Sequence, residues 1–187
     1  QSPYSASKIA ADMLAESYFR SFDVPVAILR PFNTYGPRQS ERAVIPTVIR
    51  QALDPNCDAI KIGDARPKRD FCFVGDTVEA FIRIGTAQNI EFGSPYNAGT
   101  GSMQSIGNMI ETVQRLTGVN KPTVSNLERM RPPNSEVFEL IADAAKFSNS
   151  TGWVAAVPLE TGLQETIDWW RKRIGSGRIR RSTSYQT

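Results

Sequence analysis

The 187-residue sequence contains no histidine and only two cysteines. Without histidine there can be no Ser-His or Cys-His nucleophile pair, no histidine-ligated metal and no imidazole acid–base group. Cys57 and Cys72 are too few for a disulfide framework or a metal cluster, so we expect reduced thiols, no metal site and a cytoplasmic protein. Proton chemistry must therefore use tyrosine, lysine or carboxylate side chains.

Long apolar runs and a large excess of charge are also missing. No stretch approaches the length of a membrane-spanning helix, so we expect no membrane partner. The formal net charge of +3 comes from the C-terminal end, because removing Arg178, Arg180 and Arg181 from the 22 basic residues leaves 19, equal to the 19 acidic residues. A neutral body does not support nucleic-acid binding. Residues 175–187 are polar, basic and rich in glycine and serine, and we predict a disordered tail there.

Helical and extended patterns alternate along the chain and indicate an α/β fold. The apolar, small-residue pattern of 3–22 predicts a helix buried on more than one side. The run at 24–29 predicts a buried parallel strand, and 30–38, with two prolines and a glycine, predicts a loop. The other predicted helices are 44–53, 75–87, 105–117, 142–150 and 159–173, and the other predicted strands are 59–62, 69–74 and 95–99.

Two predictions concern the helix at 75–87. Asp76 lies at its start and is a candidate cap. Ala80, Phe81 and Ile84 recur at helical spacing and are predicted to form its apolar stripe.

Tyr4 and Lys8 lie four residues apart at the start of the first predicted helix, where Ser2 is a candidate N-cap and Pro3 suits the first turn. Positions i and i+4 share a helix face, so the phenol and the ammonium can reach one site. A close cation stabilises a phenolate, which makes Tyr4 a candidate proton acceptor for a sugar or alcohol hydroxyl. On spacing alone, an incidental pair on an exposed helix is the simpler interpretation.

Five ordered sequence blocks and a C-terminal pattern, together with this pair, resemble those of a known family. The blocks are PYSASK at 3–8, RPFNTYGPR at 30–38, RDF at 69–71, YNAG at 96–99 and RPPNSEV at 131–137, followed by GW at 152–153, LETGL at 159–163 and TIDWW at 166–170. Over residues 1–174 the chain resembles the C-terminal half of an extended short-chain dehydrogenase/reductase. More narrowly, it resembles an NAD-dependent nucleotide-sugar epimerase/dehydratase, with the blocks at 30–38 and 131–137 most similar to N-acetylglucosamine-type 4,6-dehydratases.

The resemblance implies the end of a Rossmann-type domain interleaved with a small substrate-binding domain, without the N-terminal nucleotide-binding βαβ units. It implies NAD as the cofactor. Tyr4 would take the proton of the sugar C4 hydroxyl as hydride passes to NAD, and Lys8 would stabilise the phenolate and bind the nicotinamide ribose. Pro31 and Phe32 would border the nicotinamide.

The resemblance also implies six substrate-binding residues: Asn33, Val44, Ile45, Arg69, Asn97 and Arg131. Asn33 would donate to the diphosphate, while Arg69 and Arg131 would bind the diphosphate or the adjacent ribose. Val44 and Ile45 would line the pocket for the nucleotide base. From the residues alone, Asn33 could equally bond its own backbone, Arg69 could form an exposed ion pair with Asp70, and Arg131 could be an exposed loop residue.

The glycine-rich turn that binds the cofactor pyrophosphate in this family is not found in the sequence, which contains no Gly-x-x-Gly-x-x-Gly. The family's ribose-binding acid, the Ser or Thr partner of the tyrosine and the Asp-Glu pair of the dehydratases are not found either. We therefore expect a piece of a UDP-, GDP- or dTDP-hexose 4,6-dehydratase or epimerase that is inactive alone and does not bind NAD tightly. The alternative is a noncatalytic remnant that self-associates, as a homodimer through residues 3–22, or a nucleotide-binding module.

Overall fold

The computed structural model describes residues 2–130 and 136–177, and within these ranges six α-helices alternate with nine short strands. In chain order they are α1 Pro3–Phe22, β1 Ile28–Pro31, β2 Asn33–Tyr35, α2 Val44–Leu53, β3 Ile60–Ile62, β4 Lys68–Arg69, β5 Phe71–Phe73, α3 Val74–Thr86, β6 Pro95–Ala98, β7 Gln104–Ser105, α4 Ile106–Thr117, β8 Thr123–Ser125, a 3-10 turn Leu127–Arg129, β9 Glu139–Leu140, α5 Ala145–Thr151 and α6 Leu159–Gly175. The predicted α/β class is confirmed.

Most strand pairs are parallel. β1 pairs with β6, β2 with β5 and β3 with β8, all in parallel. β4 lies between β7, its antiparallel neighbour, and β9, its parallel neighbour. Because parallel strands end together, the polar residues that follow β1, β2 and β3 are brought to the ends of these pairs, where α/β proteins bind ligands.

The core forms two clusters around these strands. The larger one packs α2, α4 and α6 against Tyr35, Phe71 and Phe73. The smaller one gathers Tyr96 of β6 and Phe147 of α5 with Cys72, Trp153 and residues of α3. Helix α2 lies deep in the larger cluster, because the five consecutive residues from Ile45 to Ile49 are all buried, together with Ala52. A helix that is buried around most of its circumference belongs to the core. The predicted helices at 3–22 and 44–53 have the observed bounds.

Helix α1 begins as its sequence predicts but packs differently. The Ser2 hydroxyl accepts a hydrogen bond from the Ser5 N–H at 3.1 Å, and Pro3 occupies the first turn. None of its residues is buried, whereas the sequence predicts a helix buried on more than one side. The helix is joined to β1 by an ion pair between Asp12 and Arg30, 2.6 Å apart.

Residues 30–38 are not the continuous loop that their prolines and glycine predict. They complete β1 and contain β2, which pairs with β5 in the register Asn33–Phe71 to Tyr35–Phe73. The predicted strand at 24–29 begins only at Ile28. Proline is compatible with the end of a short strand, so composition alone misplaces these boundaries.

Helix α3 also departs from its predictions. It begins at Val74, and Asp76 does not cap it; its carboxylate accepts hydrogen bonds from the Ala156 and Val157 N–H groups at 3.1 and 3.0 Å. Ala80 is buried as predicted, but Phe81 is exposed. Asp76 therefore fixes a distant loop rather than its own helix.

Two further predictions concern the C-terminal end and the membrane. Helix α6 continues to Gly175, and the rest of the predicted tail beyond residue 177 lies outside the described residues. Among the described helices, none is long and apolar enough to cross a membrane.

Replacing Gly162 with alanine tests the packing of α6 on β2 and β5. A Cβ at this position would lie 2.7 Å from Phe73 Cδ2 and still closer to Tyr35 Oη, which donates to the Leu159 carbonyl. We expect Gly162→Ala to lower the free energy of unfolding by about 1–3 kcal/mol, because the core must shift to accept the methyl group.

Urea unfolding measures this change. Gly175→Ala is the matched control in the same helix, because a Cβ there has no neighbour within 4 Å. Its effect should stay within about 0.5 kcal/mol. Equal effects of the two substitutions would contradict the close packing.

Candidate functional site

The Tyr4 and Lys8 side chains lie on one face at the exposed start of α1. The Lys8 Nζ is 5.5 Å from the centroid of the Tyr4 ring, and Tyr4 is 71% exposed. The i,i+4 spacing thus brings phenol and ammonium together, and both are accessible to a ligand.

The ends of β1 and β2 supply the next group of residues. Pro31 ends β1 and is exposed, and the Phe32 N–H donates to the Ala98 carbonyl at 2.8 Å. The Asp12–Arg30 ion pair holds α1 next to this end of β1. Two strand pairs and one helix therefore position the residues for which the sequence implies a nicotinamide-binding role.

Asn33 and Asn97 use their side-chain amides to join segments of the backbone. The Asn33 Nδ2 donates to the Asp70 carbonyl at 3.2 Å, and the Asn97 Nδ2 donates to the Asp143 carbonyl at 3.3 Å. Asn33 does not make the local turn that its composition allows. Its bond fixes the amide beside Asp70, the residue that follows Arg69.

Arg69 is paired, but not with Asp70. Its Nη2 lies 2.7 Å from Glu136 Oε1, and the two side chains are each 13% exposed. Its Nη1 donates to the Lys68 carbonyl at 2.9 Å. The guanidinium is therefore fixed in direction and only slightly exposed, unlike an ordinary surface ion pair.

Asp70 is fully buried and connects three chain segments. Its Oδ1 accepts from the Thr100 N–H at 2.9 Å and the Thr100 hydroxyl at 2.7 Å. Its Oδ2 accepts from the Gly101 N–H at 2.9 Å and the Ala142 N–H at 3.1 Å. Sequence reasoning missed this role, and the signal that was available is a carboxylate placed directly before the apolar strand 71–73.

The described residues also form an open cleft of about 350 Å³. It is lined by the ends of the parallel strands β3 and β8, including Ile62 and Ser125, by Asp64 and Arg66, and by Met130. These residues flank Arg69 and the 131–135 segment in the sequence. The predicted ligand Arg131 lies outside the described residues.

The predicted base-pocket residues Val44 and Ile45 are placed in the core. Ile45 is 1% exposed, and the partly buried Val44 packs against the same cluster. The Ile45 side chain cannot line an open pocket, because α2 directs it into the interior. Sequence similarity does not distinguish a ligand-lining position from a buried neighbour.

Two other ionisable groups near the site are unsuited to proton transfer at neutral pH. Burial raises the pKa of the Cys72 thiol to about 11. It also raises the pKa of Tyr35, whose hydroxyl donates to the Leu159 carbonyl. Among the described residues, no group of three or more Cys, Asp or Glu side chains is arranged to hold a metal ion.

Comparisons with known proteins identify the family of the chain. Residues 1–166 match the family described as GDP-mannose 4,6 dehydratase. The chain is 33% identical over 178 residues to the dTDP-D-glucose 4,6-dehydratase of Mus musculus, and the alignment covers 91% of this chain and 48% of the mouse protein.

Two solved structures show the same fold over a similar share. The structure of RMD from Pseudomonas aeruginosa complexed with NADPH matches with a TM-score of 0.82 at 27% identity, covering 92% of this chain and 57% of that one. UDP-glucuronic acid 4-epimerase from Bacillus cereus, in complex with UDP-glucuronic acid and NAD, matches with a TM-score of 0.83 at 26% identity, covering 91% and 53%.

The chain therefore belongs to the NAD(P)-dependent nucleotide-sugar dehydratase/epimerase family of short-chain dehydrogenases/reductases. It spans about half the length of the curated relatives it matches. The resemblance inferred from the sequence blocks is confirmed at this level.

The residues present fit one end of the family cofactor. A phenol and an ammonium that are adjacent and exposed, Tyr4 and Lys8, can hydrogen-bond a ribose, and the ends of β1 and β2 follow close by in the fold. The pyrophosphate of NAD(P) binds to backbone N–H groups of a glycine-rich turn, and residues 1–187 contain no Gly-x-x-Gly-x-x-Gly. The fit therefore extends to the nicotinamide ribose and not to the pyrophosphate.

Replacing Asp70 with asparagine tests the connection between the three segments. Either orientation of the new amide turns an NH2 group toward backbone N–H donors, leaving at least one buried donor unpaired. We expect Asp70→Asn to lower the free energy of unfolding by about 3 kcal/mol or more.

Asp168→Asn is the control for this measurement, because Asp168 forms an exposed ion pair with Arg171 on α6. Its effect on chemical denaturation should be within about 0.5 kcal/mol. A similarly small effect of Asp70→Asn would contradict the role assigned to the buried carboxylate.

Proposed function

We propose that this chain carries the catalytic tyrosine–lysine pair and the diphosphate-binding arginine of an NAD-dependent nucleotide-sugar 4,6-dehydratase or epimerase. Tyr4, as phenolate, accepts the proton of the sugar C4 hydroxyl, and Lys8 stabilises that phenolate and hydrogen-bonds the nicotinamide ribose. NAD, when bound, supplies the hydride acceptor. Pro31 and Phe32 border the nicotinamide.

The observation that carries this proposal is the family match over residues 1–166, with Tyr4 and Lys8 in place on one exposed helix face. Family membership alone does not assign a reaction, because the matched relatives include both dehydratases and epimerases. The paired phenol and ammonium provide the proton chemistry that transient oxidation at C4 requires.

Binding of the nucleotide sugar is assigned to the region around Arg69. Its guanidinium is fixed in direction and mostly buried, and a planar guanidinium held in this way can bind phosphate through two parallel hydrogen bonds. Asn33 is fixed next to it through Asp70, and the cleft of Ile62 and Arg66 has the size for a nucleoside. The remaining members of the proposed substrate-binding set are Asn97, Arg131 and the backbone of 44–45.

The finer proposal concerns the substrate and the reaction. The blocks at 30–38 and 131–137 support a 4,6-dehydratase of the N-acetylglucosamine type, acting on a UDP-, GDP- or dTDP-linked hexose in the cytoplasm. The residues that direct the elimination of water in the dehydratases are not found in this sequence. For the whole enzyme, dehydratase (lyase) and epimerase (isomerase) activities are therefore alternatives. We propose that the 187-residue chain alone catalyses neither reaction.

Calorimetric titration of the 187-residue protein with UDP, GDP and dTDP tests the binding assignment. We expect one of these nucleotides to bind, and Arg69→Lys to weaken that binding by about tenfold, because lysine keeps the charge but loses the planar set of donors. Arg83→Lys is the control, since Arg83 pairs with Glu79 on the exposed face of α3. Equal affinities of the two variants would refute the role of Arg69.

The same samples test the proposed lack of activity. NAD should give no saturable binding in the micromolar range, and incubation with NAD and UDP-, GDP- or dTDP-sugars should give no 4-keto or epimerised product. Turnover by the purified 187-residue protein would overturn this part of the proposal.

A second candidate function, self-association, is supported by the exposed face of α1. Ile9, Met13 and Leu14 are all more than half exposed on a helix that buries none of its residues. A large unburied apolar surface of this kind is typical of an interface. We propose that two copies pack α1 against α1 and form a homodimer.

Sedimentation velocity tests this second candidate. We expect the wild-type protein to sediment as a dimer and Leu14→Glu as a monomer, because a charge in the contact would have to be desolvated. Val154→Glu is the control, since Val154 is equally exposed but lies between α5 and α6. A monomeric wild-type protein, or a dimer that survives Leu14→Glu, would argue against the α1 interface.

A further inference from the structure

The ion pair between Arg69 and Glu136 differs from the other ion pairs of the described residues in its burial. Both of its side chains are 13% exposed, and the Arg69 Nη2 to Glu136 Oε1 distance is 2.7 Å. Both charges have lost most of their water, so each depends on the other for compensation. The positive charge of an arginine in this state is already compensated, so the arginine attracts a second anion less strongly.

Both members of the pair are held in position by the backbone. The Arg69 Nη1 donates to the Lys68 carbonyl at 2.9 Å, and Glu136 Oε1 also accepts from the Val137 N–H at 3.1 Å. The pairing of β4 with β9 brings these two segments side by side. The carboxylate is therefore placed on the guanidinium by the fold and not by a chance side-chain conformation.

The neighbouring pair of the same two strands provides a contrast. Lys68 and Glu139 are 2.9 Å apart, but their side chains are 50% and 60% exposed. Water and salt compete freely for such charges, so their mutual attraction is weak. Lys68 and Arg69 are adjacent on β4, and their partners Glu139 and Glu136 are three residues apart in the sequence. Of the two pairs, only Arg69–Glu136 is shielded from water.

We propose that Glu136 is a built-in competitor of the substrate diphosphate for Arg69, a role that rests on the proposed function of Arg69. The carboxylate occupies a donor of Nη2 and compensates the charge of the guanidinium, and a phosphate that binds at this edge must displace it. A diphosphate, with more negative charge and more acceptor oxygens than one carboxylate, makes this exchange favourable. Inorganic phosphate and nucleoside monophosphates do so less well, and Glu136 is therefore a specificity-determining residue.

Removing the charge of Glu136 tests the competition. Calorimetric titrations with UDP, UMP and inorganic pyrophosphate are compared for the wild-type protein, Glu136→Gln and Glu139→Gln. The two substitutions change the net charge equally, but only the first releases Arg69. We expect Glu136→Gln to bind pyrophosphate and UDP about tenfold more tightly than wild type, and the preference for UDP over UMP to shrink. Glu139→Gln should match wild type within about twofold.

Glu136→Asp is a second variant in case the glutamine variant does not fold. It keeps the negative charge on a side chain one methylene shorter, so the contact with Arg69 is weakened without leaving a buried cation alone. Its affinity for pyrophosphate should lie between those of wild type and Glu136→Gln, or above wild type if Glu136→Gln does not fold. Folding of each variant is checked by thermal unfolding.

The possible outcomes separate this inference from the proposed function. If Arg69→Lys weakens UDP binding while Glu136→Gln binds no tighter than Glu139→Gln, the competition is refuted and Arg69 remains the diphosphate ligand. Weaker binding by Glu136→Gln also refutes it, because Glu136 would then contact the ligand itself. If Arg69→Lys has no effect on the affinity for UDP, or if no variant binds UDP, UMP or pyrophosphate, both the proposed function and the inference fail.

Discussion

The carboxylate of Asp70 is the interaction on which the candidate site depends. It is buried, and among the described residues its hydrogen-bond donors are backbone N–H groups of the segments that contain Gly101 and Ala142 and the Thr100 hydroxyl. A charge removed from water is tolerated only when such donors satisfy it, so the segments cannot move apart without exposing it or leaving it unpaired. Since Arg69 precedes Asp70 and Asn33 bonds its carbonyl, the same constraint fixes the proposed diphosphate site.

The sequence predicts local features of this protein well. The cap and first turn of α1, the bounds of α2 and the predicted end of α4 at residue 117 all follow from residues within one or two helical turns. The proximity of Tyr4 and Lys8 belongs to the same group, since it depends only on helical periodicity. The family could also be recognised, because its motifs are short and ordered along the chain.

The features that the sequence did not predict depend on contacts between distant segments. Asp70 bonds Ala142, 72 positions away, and Arg69 pairs with Glu136, 67 positions away. Nothing in the local pattern of 30–38 indicates that Asn33–Tyr35 would pair with a strand almost forty residues later. Burial of Ile45 has the same origin, because the side of α2 that faces the core is set by the helices packed on it. Motifs identify which residues matter, whereas partners and exposure are decided by the tertiary fold.

The attachment of α1 makes the proposed catalytic pair sensitive to the salt concentration. The helix that carries Tyr4 and Lys8 buries no residue, and its ion pair to β1 joins Asp12 to a side chain of Arg30 that is 46% exposed. Coulomb attraction between such exposed groups is screened by dissolved ions over about 10 Å at 0.1 M salt. The ion pair that joins α1 to β1 is therefore weakened as the ionic strength rises, whereas the hydrogen bonds of the buried Asp70 carboxylate are shielded from dissolved ions. The proposed proton-transfer pair and the proposed phosphate site are therefore expected to respond differently to dissolved salt.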